Sequence, residues 1–347
     1  MDFSRRMMLG ALGAATLAGG ATLRAQGAAP ALVRPPRLKA GDTVGLVAPA
    51  GFLADRTELE VAVEAVRAMG LMPRMADNIL HRHGYLAGTD AERAAGVNAM
   101  FADRAVRAVL SVRGGWGCAR ILPLLDYAAM RRDPKPLVGF SDVTALHLAL
   151  QAREVGFATI HGPNAASQWP LGNWEPLRDM LFDAATPTYG PPPPATDRLV
   201  DGAARTVTIT SGTAEGRLIG GNLTVLSALA GTPWLPDFTG AILFLEETNE
   251  AQYRIDRMLT QLGQAGILPR VAGVVFGRCT SCTDAGGYGN FTLVEVLDQH
   301  LGPLGVPAFH APLFGHGGGR QVPLPVGARC RIDAAAGTMT MLEPVVA

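Results

Sequence analysis

Thr43-Val-Gly-Leu-Val-Ala48, closed by Pro49, is a short uninterrupted apolar run of the kind that forms a strand buried on both faces, as in a parallel sheet covered by helices. A helix is predicted to follow from Arg56 to Met69, with Asp55 as N-cap and Gly70 just past its end. Thr89 and Glu92 stand at capping-box spacing ahead of a second helix reaching about Phe101. Ala108 to Val112 and Pro136 to Phe140 read as further strands, each followed by a glycine turn and a helical stretch. The first half is therefore expected to be a parallel sheet with helices on both faces.

Around Gln168 to Thr206 the periodicity fades, and Pro191-Pro-Pro-Pro194 sits inside the stretch, which reads as a linker in part extended polyproline conformation. A second β/α segment follows. Thr206 to Thr210, Ala241 to Leu245 and Val271 to Phe276 read as strands, and Asn222 to Ala230, Ala251 to Leu262 and Leu293 to Leu301 as helices. Ala328 to Leu342 alternates and is broken by Gly337, which predicts a terminal hairpin. The expected organisation is a leader over 1–30, one domain over 36–167, a linker over 168–206 and a second domain over 207–347. No internal repeat is visible.

Composition narrows the function. The chain has 347 residues, 30 Lys+Arg against 30 Asp+Glu, and only 17% charged residues, with 42 Gly and 25 Pro that form no periodic tract. Collagen, disorder and coiled coil are excluded on that pattern. Zero net charge, no basic run and few aromatics leave no electrostatic footprint for nucleic acid, so the expected partner is small or peptidic.

Ser4-Arg5-Arg6-Met7-Met8-Leu9 sets two arginines before an apolar run, Met7 to Leu23, which is diluted by Gly10, Gly13, Gly19 and Gly20 and followed by small residues from Ala25 to Ala31. That pattern reads as a twin-arginine export signal with cleavage in the small-residue zone. The other reading is an uncleaved anchor, but the run is short and weakly apolar against the roughly 20 residues of a membrane span. The expected location is the periplasm, with membrane contact only through the export signal. That compartment permits disulfides. Of Cys118, Cys279, Cys282 and Cys330, only Cys279-Thr-Ser-Cys282 is a close pair. It lacks the second ligand pair of a zinc site and the early position of a thioredoxin-type motif, which leaves a loop disulfide or two inert thiols.

Three places carry chemistry. In Leu137-Val-Gly-Phe-Ser-Asp-Val-Thr144 a strand meets a helix through a sharp turn centred on Ser141. Such an elbow exposes the hydroxyl above the sheet edge, with the Asp142 backbone N–H placed to stabilise an oxyanion; a serine there can equally be a simple N-cap. Arg113-Gly-Gly-Trp-Gly117 follows a strand and could supply a second oxyanion donor from Gly115, with Gly114 and Trp116 against the substrate, or be an ordinary glycine-rich turn. It lacks dinucleotide-binding spacing. Ala241-Ile-Leu-Phe-Leu-Glu-Glu247 ends a strand in two carboxylates, and Phe314-Gly-His-Gly-Gly-Gly319 presents a histidine among glycines, the parts a general base and its orienting acid require. His147 falls on the helix after Ser141, His81 and His83 in a polar loop, and His161, His300 and His310 have ordinary core or surface readings. No metal-ligand motif appears, so no cofactor is expected.

Together, Arg113-Gly-Gly-Trp-Gly117, Gly139-Phe-Ser-Asp142, His161-Gly-Pro163, Gly220-Gly-Asn-Leu223, Gly231-Thr-Pro233, Leu245-Glu-Glu247, Tyr253-Arg-Ile-Asp-Arg257 and Gly315-His316 resemble the LD-carboxypeptidases, or muramoyltetrapeptide carboxypeptidases, metal-free serine peptidases. The likeness runs from about Lys39 to Asp333. Trp116 stands where the family more often has tyrosine, and Glu247 replaces a common aspartate. The resemblance implies Ser141 as nucleophile, Glu246 as triad acid and His316 as general base, with Glu247 the one-residue alternative for the acid. It also implies a flavodoxin-like N-terminal domain, a smaller C-terminal β/α domain, a site between them, a homodimer and a peptidoglycan-derived tetrapeptide as substrate, cut before its terminal D-alanine. Microcin C immunity peptidases resemble this family and would use the same triad on aminoacyl-nucleotide amides, with Trp169, Trp174 or Trp234 as a platform for the base. A periplasmic binding protein is the alternative without chemistry.

Overall fold

The computed structural model describes residues 32–191, 205–283, 290–317 and 321–347. The leader 1–30 and most of the proline-rich stretch lie outside them. Residues 32–347 form one compact unit.

The first half supplies β1 (Thr43–Val47), α1 (Arg56–Ala68), β2 (Met72–Met75), α2 (Asp90–Ala102), β3 (Val106–Ser111), α3 (Cys118–Ile121), α4 (Tyr127–Arg132), β4 (Leu137–Gly139), α5 (Thr144–Ala152) and β5 (Thr159–His161). Local chemistry sets the helix starts as the sequence predicts. Asp55 accepts from the Glu58 N–H at 3.0 Å, and Thr89 and Glu92 close a reciprocal capping box. β1 runs parallel to β2 and β3, β3 to β4, and β4 to β5. The resulting order, β2-β1-β3-β4-β5, is the flavodoxin-like order, which places its ligand site beyond the carboxyl ends of the strands.

Two further elements, α6 (Leu171–Phe182) and β6 (Thr188–Tyr189), correct the expectation of a linker over 168–206. Pro176 removes a donor from the middle of α6 and hides its period, yet Leu177, Met180 and Leu181 are buried in the core that covers the first sheet. Packing, not propensity, holds this helix.

The second half supplies β7 (Val207–Thr210), β8 (Thr213–Asn222), α7 (Leu223–Ala228), β9 (Ile242–Thr248), α8 (Gln252–Gln264), β10 (Gly273–Thr280), α9 (Leu293–Leu301), β11 (Ala308–His310), β12 (Leu324–Val326), β13 (Arg329–Asp333) and β14 (Thr338–Met341). Its sheet has eight strands in the order β6-β14-β13-β8-β9-β10-β11-β7, parallel through β8 to β11 and antiparallel outside them. The terminal hairpin β13–β14 is present. The halves interlock, because β12 leaves the second half to pair antiparallel with β5 at the edge of the first sheet. One apolar core also joins Ala145, Leu148 and Ala149 of α5 with Ile219, Leu223 and Leu226 of β8 and α7.

Candidate active site

Strand β4 is fully buried and leads through Phe140 into Ser141, which adopts φ +65°. A left-handed serine costs about 1–2 kcal/mol and is the mark of an elbow held by its surroundings. The N-cap alternative fails: neither the short 3-10 turn Ser141–Val143 nor α5 has a side-chain cap. The Val143 N–H returns to the Phe140 carbonyl at 3.4 Å, which leaves the Asp142 N–H as an unclaimed first donor of the turn.

The glycine-rich loop after β3 presses on this elbow. A Cβ on Gly114 would fall 2.7 Å from Ser141 Cβ and 2.9 Å from Oγ, so only glycine fits there. The Gly51 N–H donates to the Gly114 carbonyl at 3.1 Å. Because C=O and N–H of one trans peptide point in opposite directions, that bond turns the Gly115 N–H away from Gly51. The Trp116 side chain of the same loop is exposed.

Asp142, expected only for its backbone, has a second part to play through its side chain. Its buried carboxylate accepts the Cys118 N–H at 2.7 Å and so ties the elbow to the end of the glycine loop. Burial pushes this carboxyl above its ordinary range, against the Cys118 hydrogen bonds and the Arg93 charge. Burial likewise pushes the Cys118 thiol far up, with Asp142 adding to the shift, so it is no nucleophile.

In the second half, Glu246 and His316 meet. His316 Nδ1 lies 2.7 Å from Glu246 Oε2, and the His316 backbone N–H donates to the same oxygen at 3.1 Å. Glu246 is completely buried and His316 partly exposed. Burial alone would raise the Glu246 carboxyl, but the hydrogen bond and charge of His316, together with His161, bring it below the ordinary range. An ionised Glu246 fixes the Nδ1–H tautomer and leaves Nε2 as the available base. Gly315 is required at φ +108°, since a Cβ there would lie 2.8 Å from Glu246 Cβ. Thr280 Oγ1 donates to the His316 carbonyl, which anchors the loop from the far side.

The adjacent carboxylates separate cleanly, because successive residues of a strand face opposite sides. Glu247 accepts from Asn222 Nδ2 at 2.9 Å and from the Thr224 N–H at 2.7 Å, and so holds the start of α7 while Glu246 holds the histidine. The Ser141 elbow and His316 come together at Phe140, whose ring centroid is 4.8 Å from that of His316. His161 packs edge-on against Phe140 and Phe244, and burial lowers it to about 4. Burial holds His147 at about 3, bonded to Thr159 and to the Gly139 carbonyl that precedes the elbow.

The tryptophans weighed as a base platform are taken up in packing. Trp169 and Trp174 lie against the core of the first sheet, and Trp234 stacks on Tyr127 with the Arg153 guanidinium over its ring. Cys279 and Cys282 form a disulfide, whereas Cys118 and Cys330 are free and buried. Among the described residues, no group of three or more His, Cys, Asp or Glu could hold a metal ion, and no helix is long and apolar enough to cross a membrane. Arg93, buried beneath the glycine loop, escapes a sequence reading because it looks like any helix arginine.

Residues 44–162 match the LD-carboxypeptidase N-terminal domain and residues 215–332 the LD-carboxypeptidase C-terminal domain. A Streptomyces coelicolor protein named as a carboxypeptidase is 41% identical over 91% of this chain and 98% of its own length. The murein tetrapeptide carboxypeptidase of Pseudomonas aeruginosa is 30% identical over 79% of this chain and 88% of its own. Among solved structures, the muramoyltetrapeptide carboxypeptidase of Oxalobacter formigenes is 28% identical with TM-score 0.72, covering 86% of this chain and 97% of that one. The microcin C7 self-immunity protein MccF, 24% identical, shares the fold at TM-score 0.79 over 91% of this chain and all of that one. The chain belongs to the LD-carboxypeptidase family.

Proposed function

We propose that this protein is a serine LD-carboxypeptidase that removes the terminal D-alanine from a peptidoglycan-derived tetrapeptide. The observation that carries the reading is the buried Glu246 on His316 at 2.7 Å, with the His316 ring 4.8 Å from that of Phe140, the residue before the left-handed Ser141. His316 Nε2 takes the Ser141 proton as Oγ attacks the scissile carbonyl, and Glu246 stabilises the imidazolium that forms. The Gly115 and Asp142 N–H groups bind the developing oxyanion. The tetrahedral intermediate collapses, His316 returns the proton to the departing D-alanine amine, and an ester to Ser141 remains. Water deprotonated by His316 then hydrolyses that ester and restores the serine.

The substrate class rests on the motifs of the sequence and on the names of the relatives above. The Arg5-Arg6 leader supports action in the periplasm, and the resemblance carries a homodimer, which sedimentation velocity checks. The test of the activity is incubation with purified disaccharide-tetrapeptide, with free D-alanine and tripeptide followed by mass spectrometry, beside an aminoacyl sulfamoyl adenylate as rival substrate. Tripeptide and D-alanine in equal amounts are expected. Faster turnover of the adenylate, or binding of tetrapeptide without turnover, would overturn the assignment.

A further inference from the structure

The loop that offers the Gly115 N–H is long in glycine and has little side-chain packing of its own, so something beneath it must hold its course. That support is Arg93, a completely buried arginine on α2. Its Nη1 donates to the Gly117 carbonyl at 2.8 Å and also to the Pro49 carbonyl, while Nη2 meets Asp90 Oδ1 at 2.5 Å. Asp90 in turn accepts Arg120 Nε at 3.0 Å from α3, directly after the loop. Pro49 stands two residues before Gly51, whose N–H holds the Gly114 carbonyl. One guanidinium therefore pins both ends of the construction around Ser141: the loop after β1 and the glycine loop after β3. Gly117 is shaped for it, since a Cβ there would lie 2.8 Å from Arg93 Nη1. From the other side, Asp142 draws in the next N–H, that of Cys118.

We infer that Arg93, braced by Asp90, is a positioning residue for the oxyanion hole: it sets the direction of the Gly115 N–H without touching substrate. The inference rests on the proposed serine mechanism and goes beyond it, because no step of that mechanism uses Arg93. A planar fork suits the task, as it can hold two carbonyls and a carboxylate at once, which a lysine ammonium on a flexible stem does not do in a fixed geometry.

A structural prop and a positioning residue differ in what they cost. Displacing an oxyanion donor harms the transition state more than the bound substrate, and a shift of about 1 Å can cost about 100-fold in rate. The experiment compares wild type, Arg93→Lys and the milder Asp90→Asn for kcat and KM on the tetrapeptide. It also measures affinity for a peptide boronic acid whose boron replaces the scissile carbonyl carbon, with folding followed by thermal unfolding. The expected result for Arg93→Lys is a fall in kcat of about 100-fold with KM little changed, matched by an equal loss of boronate affinity, and a smaller loss of the same kind for Asp90→Asn. If Arg93→Lys does not fold, Asp90→Asn alone decides. A folded variant with wild-type kcat, or with its loss confined to KM or to melting temperature, overturns the inference while leaving the mechanism intact. Absence of tetrapeptide turnover by wild type overturns the substrate assignment, and loss of boronate affinity in the variants then decides this inference on its own.

Discussion

Ser141 lies within eight consecutive residues, Leu137 to Thr144, in which a buried strand turns straight into a helix, and its neighbour Asp142 ties that turn to Cys118 at a separation of 24. His316, by contrast, depends on Glu246 at a separation of 70 residues and on Thr280 at 36. The Ser141 half is a short device under strain; the His316 half is an assembly made by the pairing of β9 with β10 and the return of a glycine loop. Assemblies can be loosened from several places.

The largest expected effect comes from breaking the local device. Ser141→Gly should abolish turnover, a fall of about 10⁶-fold in kcat, and at the same time raise the melting temperature, because glycine accepts φ +65° without strain. Calorimetry beside the D-alanine assay checks both; a variant that is dead and less stable would contradict the strained elbow.

On the assembled side the two neighbouring carboxylates should part company. Glu246→Gln removes the ionised partner of His316 and is expected to cost about 10⁴-fold in kcat. Glu247→Gln should leave kcat within about tenfold and cost about 1–3 kcal/mol of stability, since the amide cannot accept all the donors that Glu247 serves. Equal kinetic losses in the two variants would break the distinction.

That pair also shows how far the sequence can be read. Asp55, Thr89 with Glu92, and the Gly139-Phe-Ser-Asp142 elbow act within a few residues, and the elements they announce stand within a residue or two of their predicted places. Choosing Glu246 over Glu247 from the residues alone is another matter, because the answer depends on which face of β9 meets the histidine loop. β8 escapes a sequence reading for a related reason. Its Gly216, Gly220 and Gly221 break the alternation of a strand, and they are needed where the backbone is crowded, Gly221 lying against Thr144 of α5. α6 is hidden by Pro176, and Arg93 by its plain helical context, since burial is a property of the packed fold.

Acid should loosen the molecule through histidines held neutral. His161 at about 4 and His147 at about 3 lie below the ordinary 6.5, so as pH falls the unfolded chain takes up protons first. Their contribution is complete above pH 6.5 and is lost progressively down to about 4 and about 3, roughly 3 kcal/mol for His161. Glu246, held below its ordinary range, adds a loss in the same direction as it is protonated. Melting temperature against pH should therefore drop between pH 7 and 4, and His161→Phe should flatten that slope. An unchanged slope in this variant would remove His161 from the account.

The smallest effect concerns the disulfide. Cys279–Cys282 encloses Thr280, which holds the His316 carbonyl, so Cys279→Ser with Cys282→Ser should lower kcat a few-fold while leaving the Ser141 elbow unaltered. Closing so short a loop is worth about 2 kcal/mol, which chemical denaturation of the two forms can read.

The most direct test of a site made from both halves is to trap the serine. Wild type, Ser141→Ala and Glu246→Gln would be treated with a peptidyl fluorophosphonate and the adduct located by peptide mapping. A single adduct on Ser141, absent in Ser141→Ala and formed much more slowly in Glu246→Gln, is the predicted result. An adduct on another residue, or labelling of Ser141 at the wild-type rate without the Glu246 carboxylate, would contradict it.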